Sequence, residues 1–253
     1  MAEEEEGIRQ HRFTAPPGAT TVLVVRHGES APEIKGKPFP LRDGHGDPEL
    51  HPDGRRQAEL LADRLQHEPI TAIYVTTLQR THQTAAPLAA RLGITPIEEP
   101  DLREVFLGEW EGGIFRSRAV DNDPVFQEIF RQERWDVIPG AEPHEDFDAR
   151  VWRGFQRIVA AHPDETVMLV AHGGVIGHLL HRVTDSRRFA FSLGFYRATA
   201  ARAPTNAAQS PGVLRTLGGS SIWTPPPRTR FTGLARCTPR RWLGMRSRSS
   251  IHT

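Results

Sequence analysis

The sequence predicts an α/β fold, with a mainly parallel central sheet covered by helices on both faces. Three observations predict it. Short, continuous apolar runs recur at 21–25 (TVLVV), 70–75 (ITAIYV) and 166–174 (TVMLVAHGG). Such runs read as strands buried on both faces, the usual state of strands in parallel sheets. Between them lie segments with apolar residues at helical spacing, and the elements alternate strand, helix, strand, helix along the chain.

Taken in order, 1–19 is charged and then rich in Pro and Gly (FTAPPGAT), and reads as a disordered leader. The first strand is 21–25. A long loop, 31–52, is punctuated by Pro32, Pro38, Pro40, Gly44, Gly46 and Pro48. Residues 53–66 place Ala58, Leu61, Ala62 and Leu65 on one helical face. The strand 70–75 leads into a helix with Thr77 as its expected N-cap and Gly93 as its stop. ITPIEE, 94–99, reads as a short strand, and DLREVFLGEWEGG, 101–113, as a loop closing on glycines. Residues 114–138 read as helical or irregular, 141–162 as a long amphipathic helix, and 175–183 as a helix after the last strand. No internal repeat is present.

A length of 253 residues and a hydrophobic share of 38% suit one large domain, or one domain with tails. No apolar run approaches the length of a bilayer crossing. The opening MAEEEEGIRQ lacks the apolar stretch of a secretory signal. One cysteine, Cys237, excludes an intramolecular disulfide and fits a reducing, cytoplasmic setting. No Cys/His set has zinc spacing, and His178 and His181 read as members of a solvated helix face, so no metal is expected. No Walker-type GxxxxGK[ST] motif is present either.

The net charge of +1 hides an asymmetry. Residues 191–253 hold ten arginines, no lysine and no acid, whereas 1–190 hold 22 Lys and Arg against 31 acids, a net charge of −9. This break sets a boundary near Ala190: a leader 1–19, a folded domain 20–190 and a basic tail 191–253.

Ligands of open α/β sheets sit outside the carboxyl ends of the strands. Arg26 and His27 end the first strand, Arg80 falls in the first helical turn after the second, and His172 ends the last. Two guanidinium groups and two imidazoles therefore converge on one rim. Arg26 and Arg80 can each grip phosphate oxygens with a planar, permanently charged fork. The helices opening near Leu78 and Gly174 are expected to turn N–H groups toward the same place, and Gly173 and Gly174 let backbone approach the ligand. His172 can donate to a phosphate oxygen. His27, kept neutral by the two neighbouring cations, can attack phosphorus and form a phosphohistidine. The leaving alkoxide needs a proton, and LREVFLGEWEGG offers Glu104, Glu109 and Glu111. A carboxyl beside a phosphate dianion holds its proton more tightly and can serve as acid, then as base. Chemistry alone leaves the three open.

LVVRHGES resembles the signature of the histidine phosphatase superfamily, which contains cofactor-dependent phosphoglycerate mutases and broad-specificity phosphatases. YVTTLQRTHQTA, LREVFLGEWEG, PGAEPHEDFDAR and VAHGGVIGHLL are similar to further family segments, in the family's order, over about Thr20 to Phe191. The resemblance implies a phosphoglycerate mutase-like fold, His27 as nucleophile, Glu104 as proton donor, and Arg26, Arg80 and His172 as phosphate ligands. The reaction expected is metal-independent hydrolysis of a small phosphate ester, with no cofactor. A mutase-type isomerase and a non-catalytic phospho-ligand binding module are the alternatives.

The chain departs from the family in two places. Where the mutases usually carry Trp-Asn, Pro32 and Glu33 stand here, and a negative Glu33 is expected to repel a sugar-acid phosphate. That favours a phosphatase. After the last helix, 191–253 shows no strand periodicity and lacks the family's Asp-Asn-x-Ser-Ile-Ser strand. Three explanations compete for this segment: binding to nucleic acid or anionic lipid through its arginines, a passive disordered extension, or translation out of frame from a GC-rich gene. Written in GC-rich codons and read one base back, APTNAAQS (203–210) yields Gly-Ala-Asp-Gln-Arg-Gly-Ala-Ile-Ser, which looks like the missing strand.

Overall fold

The computed structural model describes residues 15–184, together with the strands Arg202–Pro204 and Gly212–Leu217. Its strands are β1 (Thr20–Arg26), β2 (Leu41–Arg42), β3 (His45–Gly46), β4 (Ile70–Val75), β5 (Ile97–Glu98), β6 (Thr166–Ala171), β7 (Arg202–Pro204) and β8 (Gly212–Leu217). Its helices are α1 (Pro52–Leu65), α2 (Gln79–Leu92), α3 (Ile114–Val120), α4 (Pro124–Gln132), α5 (His144–Ala161) and α6 (Gly173–Thr184). The main sheet runs in the order β5-β4-β6-β1-β8-β7 and is parallel apart from the β7–β8 pair.

The continuous apolar runs have the cause the sequence suggested. Val22 and Val24 of β1 face a core completed by α5 and α6 through Val151, Phe155, Ile158, Val175 and Leu179. Leu23 and Val25 face the opposite core, completed by α1 and α2 through Ala62, Leu65, Ala85 and Leu88. Alternate side chains thus enter different cores, and a strand with both faces covered has no polar side to show. No helix among the described residues is long and apolar enough to cross a membrane.

Element positions follow the sequence reading closely, and α2 ends on Gly93 at φ 66° as its composition predicts. Four details differ. Thr77 does not cap α2. Leu78 is the N-cap residue, and Asp47 instead accepts from Gln79 N at 2.8 Å. His178 is not on a solvated face. It is buried against Phe147, because α6 packs upon α5. The 31–52 loop contains the two-residue β2–β3 ladder, too short to show periodicity. Finally, β7 and β8 lie in the segment where no strand was expected, with β8 paired along β1 from Thr20↔Gly212 to Val25↔Leu217. Its sequence, GVLRTL, carries an arginine among the apolar residues, and the flanking NAAQSP and GGSS are small and polar, so no apolar run marks the strand. The expectations for the leader 1–14 and the rest of the basic tail lie outside the described residues.

Candidate active site

Strand register builds the site. In the β1–β6 pair, Arg26 lies opposite Ala171, so the next residues, His27 and His172, leave the sheet side by side. His27 N–H donates to Ala171 O at 3.0 Å, and the two rings stand 5.2 Å apart between centroids.

The His27 ring donates from Nδ1 to Gly28 O at 2.7 Å, since a carbonyl can only accept. Its Nε2 therefore carries the free lone pair. Burial first, and then the Arg80 and Arg26 guanidinium groups, hold its pKa well below the ordinary imidazole value. The ring is partly solvent-accessible yet surrounded by protein and cations, and both conditions favour the neutral form. Gly28 is packed tightly: its N–H donates to Thr84 Oγ1 at 2.9 Å, and a Cβ there would lie 2.6 Å from Gly54 O. The loop after β1 is thus seated on the first turn of α1.

His172 is fully buried, with Nε2 2.9 Å from Thr76 Oγ1. Burial, Arg80, His27 and Arg26 hold its pKa well below the usual value too. Arg80 is buried at the start of α2, where a cation is unfavourable against the helix dipole. Its NH1 donates to Gly46 O at 2.9 Å and lies 3.8 Å from Asp47 Oδ1. Burial lowers its pKa, while Glu104, Asp47 and Glu111 pull the other way. Arg26 is exposed at the end of β1, close enough to act electrostatically on both imidazoles. Gly173 is the buried first residue of α6.

Glu104 points into the same space. Its Oε1 accepts from Val105 N at 3.0 Å and its Oε2 from Gly174 N at 3.1 Å. A Cβ on Gly174 would lie 2.5 Å from Oε1. Geometry separates the three glutamates that chemistry left open. Glu111 ties the acid loop to β3, accepting from Gly46 N at 2.6 Å and Leu107 N at 2.9 Å, and Glu109 is exposed. Trp110 is buried in the core.

The helix openings differ from expectation. The N–H groups of Leu78, Gln79 and Gly174 go to Thr76 Oγ1, Asp47 and Glu104. The protein's own side chains take them, and they serve to position Glu104 and the turn that carries Arg80.

Sequence reasoning missed two arginines. Arg116 on α3 donates to Ala31 O and Ser30 Oγ, both at 2.7 Å, and acts electrostatically on His27 as a third cation. The nearby Glu33 accepts from Ser117 Oγ at 2.5 Å and attracts Arg116, so its charge is engaged rather than left bare. Arg150 on α5 holds both Glu142 oxygens, at 2.6 and 2.7 Å, and the carbonyls of Asp101, Arg103 and Glu104 at 2.7–2.9 Å. It fixes the backbone from which Glu104 projects. No local pattern in the sequence pointed to either arginine.

A covered parallel sheet, with two imidazoles, three guanidinium groups and one carboxylate at its carboxyl rim, defines a phosphate-handling protein. The family model for the histidine phosphatase superfamily (branch 1) matches residues 22–196, and the chain belongs to that superfamily. It is 36% identical over 171 residues to phosphoglycerate mutase-like protein 4 of Arabidopsis thaliana, covering 66% of this chain and 72% of that one. It is 29% identical over 171 residues to a metal-independent phosphoserine phosphatase of the same plant, covering 66% and 70%. A bifunctional protein of Mycobacterium tuberculosis is 32% identical over 168 residues, and the chain spans 45% of its length. Among solved structures, a mycobacterial glucosyl-3-phosphoglycerate phosphatase matches with a TM-score of 0.55 at 27% identity, over 67% of this chain and 82% of that one.

Proposed function

We propose that the chain hydrolyses small phosphate monoesters through a phosphohistidine on His27. One observation carries this: the Nδ1 bond to Gly28 O leaves Nε2 of a neutral imidazole as a free nucleophile among three guanidinium groups. In the first step Nε2 bonds to phosphorus and the ester P–O bond breaks. Glu104, as general acid, gives a proton to the departing oxygen. In the second step Glu104 removes a proton from water as the water oxygen bonds to phosphorus, and the P–N bond breaks. Arg26, Arg80 and His172 balance the charge on the transferring group, as fixed donors do in phosphoryl transfer generally. No step calls on a metal or cofactor, and every reacting side chain lies between residues 26 and 172. The phosphatases among the relatives support hydrolysis. Cytoplasmic residence accords with the single cysteine.

The test is release of inorganic phosphate from a panel of phosphate esters in EDTA-treated buffer, beside a coupled assay for isomer formation. H27A is expected to abolish turnover and acid-labile labelling of the protein by a 32P-phosphate ester. R80A is expected to lose about a hundredfold or more. An undiminished rate in either variant refutes the assignment, and isomer formation without phosphate release replaces it with a mutase.

A further inference from the structure

Thr76 follows β4 directly and is wholly buried. Its Oγ1 lies 2.9 Å from Nε2 of His172, whose Nδ1 is buried without a hydrogen-bond partner. The His172 imidazole is held neutral, as described, so it carries one proton on one of two nitrogens. Where that proton sits decides whether Nδ1 meets a phosphoryl oxygen as a donor or as a repelling lone pair.

We propose that Thr76 is a positioning residue: its hydroxyl donates to His172 Nε2 and thereby keeps the imidazole proton on Nδ1, available to a phosphoryl oxygen. This rests on the reading of His172 as a phosphate ligand.

The local hydrogen bonds support that direction. Thr76 Oγ1 accepts from Leu78 N at 3.3 Å. Its own proton has two acceptors within reach, His172 Nε2 at 2.9 Å and Thr81 Oγ1 at 3.3 Å. Thr81 Oγ1 already accepts from Thr76 N at 3.1 Å, and its proton is directed to Leu78 O at 2.8 Å. The shorter contact and the unoccupied acceptor coincide at Nε2. In the reverse arrangement, Nε2–H would donate to Thr76, and Nδ1 would turn a bare lone pair toward an anion. Thr76 is also stiff at χ1, and Thr81 braces it from the turn that carries Arg80. One turn of chain therefore places a guanidinium and sets the proton of an imidazole.

The experiment uses the full chain, labelled with 15N and saturated with inorganic phosphate. Long-range 1H–15N spectra report which nitrogen of His172 is protonated. Nδ1–H is expected in the wild type and in T76S, and a mixed or Nε2–H form in T76V. In parallel, kcat for a phosphate ester is expected to fall roughly tenfold to a hundredfold in T76V and to stay within about threefold in T76S, as for other groups that orient a functional side chain. A wild-type proton found on Nε2 overturns the proposal, and this measurement needs no variant to fold. So does a T76V protein that keeps both the Nδ1 proton and the wild-type kcat. If the wild type turns over no ester, the hydrolase reading fails by itself, and the spectra still decide the role of Thr76.

Discussion

Replacing Gly174 with alanine adds one methyl group at the most crowded point of the site. The new Cβ would stand 2.5 Å from Glu104 Oε1 and 3.6 Å from Trp135 Cζ2. An ordinary carbon–oxygen contact is about 3.3 Å, so the carboxylate must retreat by roughly 0.8 Å. That retreat also stretches its 3.1 Å bond from Gly174 N. A misplacement near 1 Å costs about a hundredfold in rate, or roughly 2.7 kcal/mol of barrier. Stability is not expected to fall in step, because alanine is favoured over glycine within a helix by about 1 kcal/mol. The assay compares an alkyl phosphate with p-nitrophenyl phosphate. An alkoxide cannot leave without a proton, whereas p-nitrophenolate can. G174A should therefore lose about a hundredfold on the alkyl ester, and several-fold at most on the aryl ester, with E104Q behaving alike. Equal losses on both esters would place the defect in phosphate binding, and wild-type rates on the alkyl ester would falsify the role given to Glu104.

Two further outcomes follow from the structure. R150M removes a part-buried charge, its grip on Glu142 and three backbone carbonyls, and should destabilise the fold by roughly 3–5 kcal/mol in urea titration; a loss under 1 kcal/mol would show the acid loop to be held by other contacts. Acid should destabilise the native state. Burial lowers the pKa of His27 and His172, and that of His178 to about 4. Unfolded imidazoles take up protons near pH 6.5, and the folded ones do so only at lower pH. Stability is thus complete above about 6.5 and falls as pH drops toward those folded values, with the His178 share lost between about 6.5 and 4. Chemical denaturation at pH 7.5, 6 and 5 should show a declining midpoint, and a flat series would contradict the neutral, buried state of these rings.

The parts that were legible in the sequence share a cause. β1, β4 and β6 are covered on both faces, so burial wrote itself as unbroken apolar runs, and a polar residue ending such a run stood out. His27 and His172 were visible for that reason, and Arg80 through its place one turn after the second strand. The missed groups work across long sequence separations. Arg116 reaches back 85 residues to Ala31, Arg150 reaches 46 to Glu104, and Thr76 reaches 96 to His172. No local pattern encodes such a contact. Thr77 looked like a cap because of its residue type, but Asp47, brought in from the long loop, took that place. Glu33 looked repulsive because its partners, Ser117 and Arg116, belong to a stretch whose folding was not readable.

The pairing of β1 with β6 has an evolutionary consequence. Inserting or deleting a single residue in either strand would exchange the two cores' side chains and, in the same stroke, pull His27 and His172 out of step. Selection for a stable interior therefore also guards the spacing of the imidazoles, while the helices and loops around the mouth remain free to diverge. A lineage built on this chassis can change the molecule it dephosphorylates without retuning how phosphorus is attacked.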